Sequence, residues 1–181
     1  MKILFSSKMH DILGFAAEEA LRTGWKTAGV DHLMLGLLRD RHNNACKALL
    51  DSGIDLDDMK LRIDELVFRD EPAALGEADS VHPTKAAAET IKMSAYQALR
   101  FGSSTIRSAH LLLAIILSRT TVSSTYLRQH GIAYDGLQEH MEKQGMLHDF
   151  TEHAPVVITE EIVGAIGEQL TNLISSSGLA S

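Results

Sequence analysis

Residues 8–66 of this chain align without a gap on residues 86–144, and this internal duplication constrains the fold more than any other feature of the sequence. Ala17, Ala20, Leu21, Arg22 and Gly24 fall on Ala95, Ala98, Leu99, Arg100 and Gly102. His32, Leu33 and Leu35 fall on His110, Leu111 and Leu113, and Leu49, Gly53, Ile54 and Asp57 fall on Leu127, Gly131, Ile132 and Asp135. Spacing kept over so long a stretch is the signature of a duplicated supersecondary unit. A unit of roughly 60 residues buries only a marginal core by itself. The two copies are therefore expected to pack as a pseudo-two-fold pair around one shared core.

Periodicity assigns the units to helices. Met9, Ile12, Leu13, Ala16, Ala17, Ala20 and Leu21 recur at helical spacing, with Lys8, Asp11, Glu18 and Glu19 mostly off that stripe. Gly24 is placed to stop this helix by taking the left-handed conformation. A short second helix through Leu33, Met34, Leu35, Leu37 and Leu38 is apolar nearly all round, which makes it the buried centre of its copy. A third helix is expected over about 44–52, and a fourth over about 56–67, opening among carboxylates that suit a helix amino terminus. The second copy repeats the plan over 84–101, 108–117, 123–130 and 134–144. Ser108 is the expected N-cap of its second helix, and Asp31 that of the equivalent helix in the first copy, since Val30 has no capping side chain.

This organisation divides the chain into a double repeat over 1–144 and an extension over 145–181. The first has copies at about 8–66 and 84–144 joined by a linker over 67–83. The linker is acidic and contains Pro72 and Gly76, which marks an exposed connection. In the extension, a helix over about 159–175 sets Ile162, Val163, Ile166, Leu170, Leu173 and Ile174 on one stripe. That stripe either folds onto the chain's own surface or docks a second copy or a partner, giving a possible homodimer.

Composition removes several classes of function. The 181 residues are 45% hydrophobic and 23% charged, the balance of a folded globular chain. A net charge of -7, with clusters at Asp55, Asp57, Asp58 and at Asp64, Glu65, disfavours a generic nucleic-acid partner. No apolar run approaches the ~20 residues that span a bilayer, and Met1 to Phe5 is too short for a secretory signal, so no membrane role is expected. The single cysteine, Cys46, fits a reducing compartment. These features together imply a cytoplasmic protein.

The run Gly29-Val30-Asp31-His32-Leu33-Met34-Leu35-Gly36-Leu37, preceded by Glu18-Glu19-Ala20-Leu21 and followed by Ala48-Leu49 and Gly53-Ile54, resembles the tandem amino-terminal repeat of Clp ATPases such as ClpA and ClpC. The resemblance covers roughly 5–144 and occurs twice. It implies an all-α, eight-helix module, extended here by a C-terminal amphipathic helix, that receives adaptor proteins and substrate segments without catalysis. The implied partners are a Clp ATPase, a Clp protease subunit, an adaptor protein or a substrate peptide. The family's Gly-Thr-Glu-His stretch is Gly29-Val30-Asp31-His32 in the first copy and Arg107-Ser108-Ala109-His110 in the second. In members that recognise phosphorylated arginine this acidic position contributes to the site. Asp31 keeps the acid and Ala109 removes it, so that activity is not carried to the second copy. Gly29, Asp31, His32, Arg107, Ser108 and His110 are thus the candidate partner-binding residues.

Other residues sketch catalytic or metal chemistry that this module would not need. A phosphate-cradling loop needs G-x-x-x-x-G-K-[ST], and Gly24-Trp25-Lys26-Thr27 lacks the glycine beside the lysine, so no nucleotide cofactor is expected. His32 and His110 occupy one repeat position and suggest paired metal ligands, but a metal needs three or four converging donors, and a histidine hydrogen-bonded at a helix start explains the repetition. His140, His148, Asp149, Glu152 and His153 follow no ligand spacing. Cys46 with His42 sketches a thiol and base without oxyanion donors. A small metal- or thiol-dependent enzyme is the first alternative and an all-helical DNA-binding regulator the second. The expectation is no enzyme activity, no metal and no cofactor.

Overall fold

Each copy of the duplicated segment folds into four helices. The structure, a computed structural model, describes residues 2–70, 80–149 and 160–176, apart from some side chains of the last helix. The first copy contains α1 (Ser7–Arg22), α2 (Val30–Arg39), α3 (Asn44–Asp51) and α4 (Leu56–Val67). The second contains α5 (Lys85–Arg100), α6 (Ser108–Ile116), α7 (Val122–Gln129) and α8 (Tyr134–Lys143). Equivalent side chains begin equivalent helices. The Ser6 hydroxyl accepts the Met9 N–H ahead of α1, and the Thr84 hydroxyl accepts the Ala87 N–H ahead of α5. Asn43 and Thr121 do the same for α3 and α7. Gly24 and Gly102 close α1 and α5 at φ 91° and 71°, a region closed to most side chains.

The apolar second helix of each copy is the centre of the molecule. Leu33, Met34, Leu35, Leu37 and Leu38 of α2 and Leu111 to Ile115 of α6 are buried. In α2 the close approach falls on Gly36, where an added Cβ would stand 2.6 Å from the Ile12 carbonyl oxygen and 3.0 Å from the Ala16 nitrogen. Helices α1 and α2 therefore pack almost backbone to backbone at this point.

Four two-residue strands join the copies. Leu4–Phe5 (β1) runs parallel to Thr105–Ile106 (β4), and Thr27–Ala28 (β2) runs parallel to His82–Pro83 (β3). The strand leading into the first helix of each copy thus pairs with the other copy. Strands this short are invisible to period-two patterning, and the class remains all-α. The linker expected over 67–83 is consequently anchored at both ends. The Arg69 N–H donates to the Thr23 carbonyl, Val81 is buried and His82 and Pro83 are in register with Thr27 and Ala28. Pro72 and Gly76 lie outside the described residues.

The chain after α8 turns back across the second copy, burying Met146 and Leu147. The helix expected over about 159–175 is α9 (Glu160–Ser176), which packs against α5. Leu170 is buried, Ile174 is partly buried against the common core, and the Gln169 side-chain oxygen accepts the Ile3 N–H at 3.1 Å. The side chains of Ile162, Val163, Ile166 and Leu173 lie outside the described residues, as does Pro155.

Candidate functional site: two recesses at the junction of the copies

The residues singled out at the openings of α2 and α6 first serve the structure of those openings. The N-caps are Gly29 and Arg107, one or two positions earlier than expected, and neither caps with its side chain. The third helical residue instead accepts the N-cap's own N–H, the other half of a capping box. His32 Nδ1 accepts the Gly29 N–H at 2.9 Å, and His110 Nδ1 accepts the Arg107 N–H at 3.0 Å. An imidazole thereby fills the place that Glu or Gln takes in an ordinary capping box. With Nδ1 accepting, the proton sits on Nε2. That N–H donates to Thr23 Oγ1 at 2.9 Å in the first copy and to the Leu147 carbonyl at 2.8 Å in the second. Burial, which disfavours the imidazolium, lowers both histidines to about 4.

Asp31 and Ser108, the expected caps of their own helices, each serve a helix of the opposite copy. Asp31 accepts the Val122 N–H at 3.2 Å, the Ser123 N–H at 2.9 Å and the Ser123 hydroxyl at 2.6 Å, and so caps α7. Ser108 Oγ accepts the Ala45 N–H at 3.3 Å at the start of α3. The correction has a physical reason: a helix start buried in the pseudo-two-fold junction finds the free N–H groups of the facing helix closer than its own. Arg107 donates to the His148 carbonyl at 3.1 Å and to Asp149 Oδ1 at 3.0 Å, holding the chain after α8 in place. Burial raises the Asp149 carboxyl, but the Ser104 N–H, the Ser103 and Ser104 hydroxyls and the Arg107 charge outweigh it and leave the group below the ordinary carboxylate value.

Above each opening lies a recess lined from both copies. The first, about 180 Å³, is lined by Trp25, Thr27, Gly29, Val30, Asp31, His32 and Val67 of the first copy with Thr84 of the second. The Trp25 indole N–H donates to the Val67 carbonyl at 2.8 Å, and the Arg69 guanidinium lies 3.9 Å from the centre of its ring. The second, about 270 Å³, is lined by Ser6, Ser7, Lys8, His42 and Asn44 of the first copy with Arg107 and Ser108 of the second. Five of the six candidate residues, Gly29, Asp31, His32, Arg107 and Ser108, reach a lining, and His110 is fully buried. The sequence reading missed Trp25, Thr84, Ser6, Lys8, His42 and Asn44. Ser6 and Thr84 were recoverable, since they precede equivalent helices. Lys8, His42 and Asn44 carry no pattern, because they meet Arg107 only through tertiary packing.

The sites of the alternative chemistries are accounted for by packing. The Cys46 thiol is buried, donates to the Leu37 carbonyl at 3.3 Å and is pushed up by that burial to about 11, so it holds its proton at neutral pH. His140 bonds Asp51, and His148 Nδ1 contacts the Phe101 carbonyl. Among the described residues no three His, Cys, Asp or Glu side chains converge as a metal site. Glu152 and His153 lie outside those residues. No described helix is long and apolar enough to cross a membrane.

Comparison with known proteins gives a consistent result. The chain is 29% identical over 129 residues to the negative regulator of genetic competence ClpC/MecB of Bacillus subtilis, covering 71% of this chain and 15% of that protein. It is 27% identical over 131 residues to the chaperone protein ClpB of Oceanobacillus iheyensis, covering 71% of this chain and 16% of that protein. Both matches therefore span a small part of much longer proteins. The crystal structure of the Hsp104 N-terminal domain from Candida albicans superposes with a TM-score of 0.60 at 13% identity, over 80% of this chain and 93% of that one, which shows a common fold. The family model of the Clp repeat N-terminal domain matches residues 4–130, and the chain belongs to that family.

Proposed function

We propose that this chain is a non-catalytic module that binds peptide segments or partner proteins and acts as an adaptor or regulator of a Clp-type chaperone-protease system. Domains of this family bind substrates and adaptors of Clp chaperones. The observation that carries the reading is the pair of recesses at the junction of the copies. Each is open, each is lined from both halves, and each sits over a helix start whose N-cap N–H is taken by a neutral histidine. Such a surface is preorganised for a ligand and offers no activated nucleophile or acid-base pair. The partners expected are a Clp ATPase, a Clp protease subunit, an adaptor or a substrate segment, engaged through Gly29, Asp31, Arg107 and Ser108. His32 and His110 shape the openings from beneath.

The test is affinity enrichment with the full chain, followed by crosslinking and mass spectrometry. Crosslinks from Lys8 or Lys26 to a Clp component are expected, and both weaken when Gly29 and Ser108 are replaced by bulkier residues. Enrichment that never recovers a Clp ATPase, protease subunit or adaptor overturns the proposal.

A further inference from the structure

Helix α9 belongs to neither copy of the duplication, yet it covers a face of α5 and the strand that enters the first copy. In β1 the Leu4 and Ser6 N–H groups donate to the Ser104 and Ile106 carbonyls across the β1–β4 pair, so the Ile3 N–H points to the open edge. Gln169 of α9 takes that N–H with its side-chain oxygen at 3.1 Å. The next residue, Leu170, is buried, as is Ile3, and Ile174 packs one turn further along against the same core. A strand-edge donor and an apolar surface of the repeats are thus covered by a helix that arrives from outside them.

The covering helix is weak by itself. Its interior holds Gly164 and Gly167, and an added Cβ at either would meet nothing within 4 Å. Neither glycine serves a close approach of backbones, as Gly36 does in α2. Each lowers the helix-forming equilibrium about fivefold relative to alanine. Towards the carboxyl end, Thr171 and Ser175 turn their hydroxyls back onto the Gly167 and Thr171 carbonyls, a local bond that does not favour the helix. Docking, more than propensity, holds α9 helical, so it should open before the repeats do.

We propose that α9 is a displaceable cover over a helix-docking surface, formed by α5 and the Ile3 end of β1, and that an amphipathic helix of a partner protein competes with it there. The helix that fits carries a leucine-sized side chain for the place of Leu170 and a side-chain carbonyl one residue earlier for the Ile3 N–H. A second aliphatic group belongs one turn on, at the place of Ile174. Apparent affinity for such a helix falls with the fraction of chains whose surface is uncovered, so the stability of α9 sets the response. No residue of α5 or α9 lines either recess, nor does Ile3, and the surface stands or falls independently of a Clp component being recovered.

The test is an amide NMR titration of the full chain with a synthetic peptide of residues 160–176, the helix already seated on the surface. Saturable shifts are expected at Ile3, Leu4 and along α5, with Val30 and Ser108 of the recesses unmoved. Leu170→Ala in the chain, which loosens the cover, should tighten peptide binding at least tenfold. Replacing both Gly164 and Gly167 by alanine, which the open space admits, should weaken it about tenfold. Hydrogen exchange of the chain without peptide should be at least tenfold faster for α9 amides than for those of α5. One affinity for all three chains, no binding to any of them, or shifts centred on the recesses overturn the cover, as does an α9 protected as strongly as α5. A dimer of the unsubstituted chain that light scattering shows dissociating as peptide is added assigns the surface to a second copy and overturns the partner-protein reading.

Discussion

Asp31 illustrates how a single side chain acquires two roles. It lines the first recess, yet its carboxylate also takes three hydrogen bonds at the start of α7. Asp31→Ala should therefore cost about 1–2 kcal/mol in urea denaturation, the size of a lost helix cap, in the absence of any ligand. The paired histidines give a second expectation. Each is lowered from 6.5 to about 4 in the folded chain, so below pH 6.5 the unfolded chain binds more protons. Stability is then fully present above 6.5 and is lost as the pH falls toward 4, at up to ~1.4 kcal/mol per pH unit for each histidine. The lowered carboxylates Asp40, Asp64 and Asp149 act below that window, since their stabilisation is lost only as the pH falls beneath the ordinary 3.8. Urea midpoints between pH 7 and pH 4.5 should show the slope, and His110→Gln, which keeps an acceptor at the third helical position, should flatten it by about half. That a histidine recurs at one repeat position was legible from the chain; that it caps its own helix as a neutral base was not, because tautomer and depth depend on what covers Nε2.

At the scale of elements, the helices themselves were readable because their apolar stripes repeat at a helical period and end at Gly24, Gly53, Gly102 and Gly131. The strands were not readable, since two residues contain no alternation and their pairing joins opposite copies. Gly36 was unremarkable within an apolar helix, yet Gly36→Ala would drive a methyl into the Ile12 carbonyl and the Ala16 backbone. The expected cost is about 1–3 kcal/mol, seen as a lower melting temperature, because neither backbone can give way alone. Helix α9 raises a separate expectation. Leu170 is buried against the chain's own core, so Leu170→Ala should lower stability by about 2–3 kcal/mol and speed proteolysis of the C-terminal segment. Light scattering on the full chain and on residues 1–154 tests the remaining proposal, homodimerisation through Ile162, Val163, Ile166, Leu170 and Leu173. An unchanged association state on truncation retires it.

The whole molecule is held by exchange between its halves. The first strand of each copy pairs with the other copy, Asp31 caps α7 while Ser108 caps the start of α3, and the Tyr126 hydroxyl of the second copy donates to Asp58 of the first at 2.6 Å. Separating the copies would leave these helix starts and strand edges unpaired, so a chain cut in the linker should unfold as one unit in denaturant, with fluorescence of Trp25 and helical circular dichroism changing together. Duplication, helical content and the family resemblance were determined by the sequence alone, because apolar period and repeat offset are properties of a single strand of text. The recesses, the neutral state of the histidines and the reciprocal caps were decided only by tertiary structure. They depend on which buried N–H meets which acceptor across a pseudo-two-fold junction, and residues as distant as Lys8 and Arg107 share a lining only after the two copies have closed on each other.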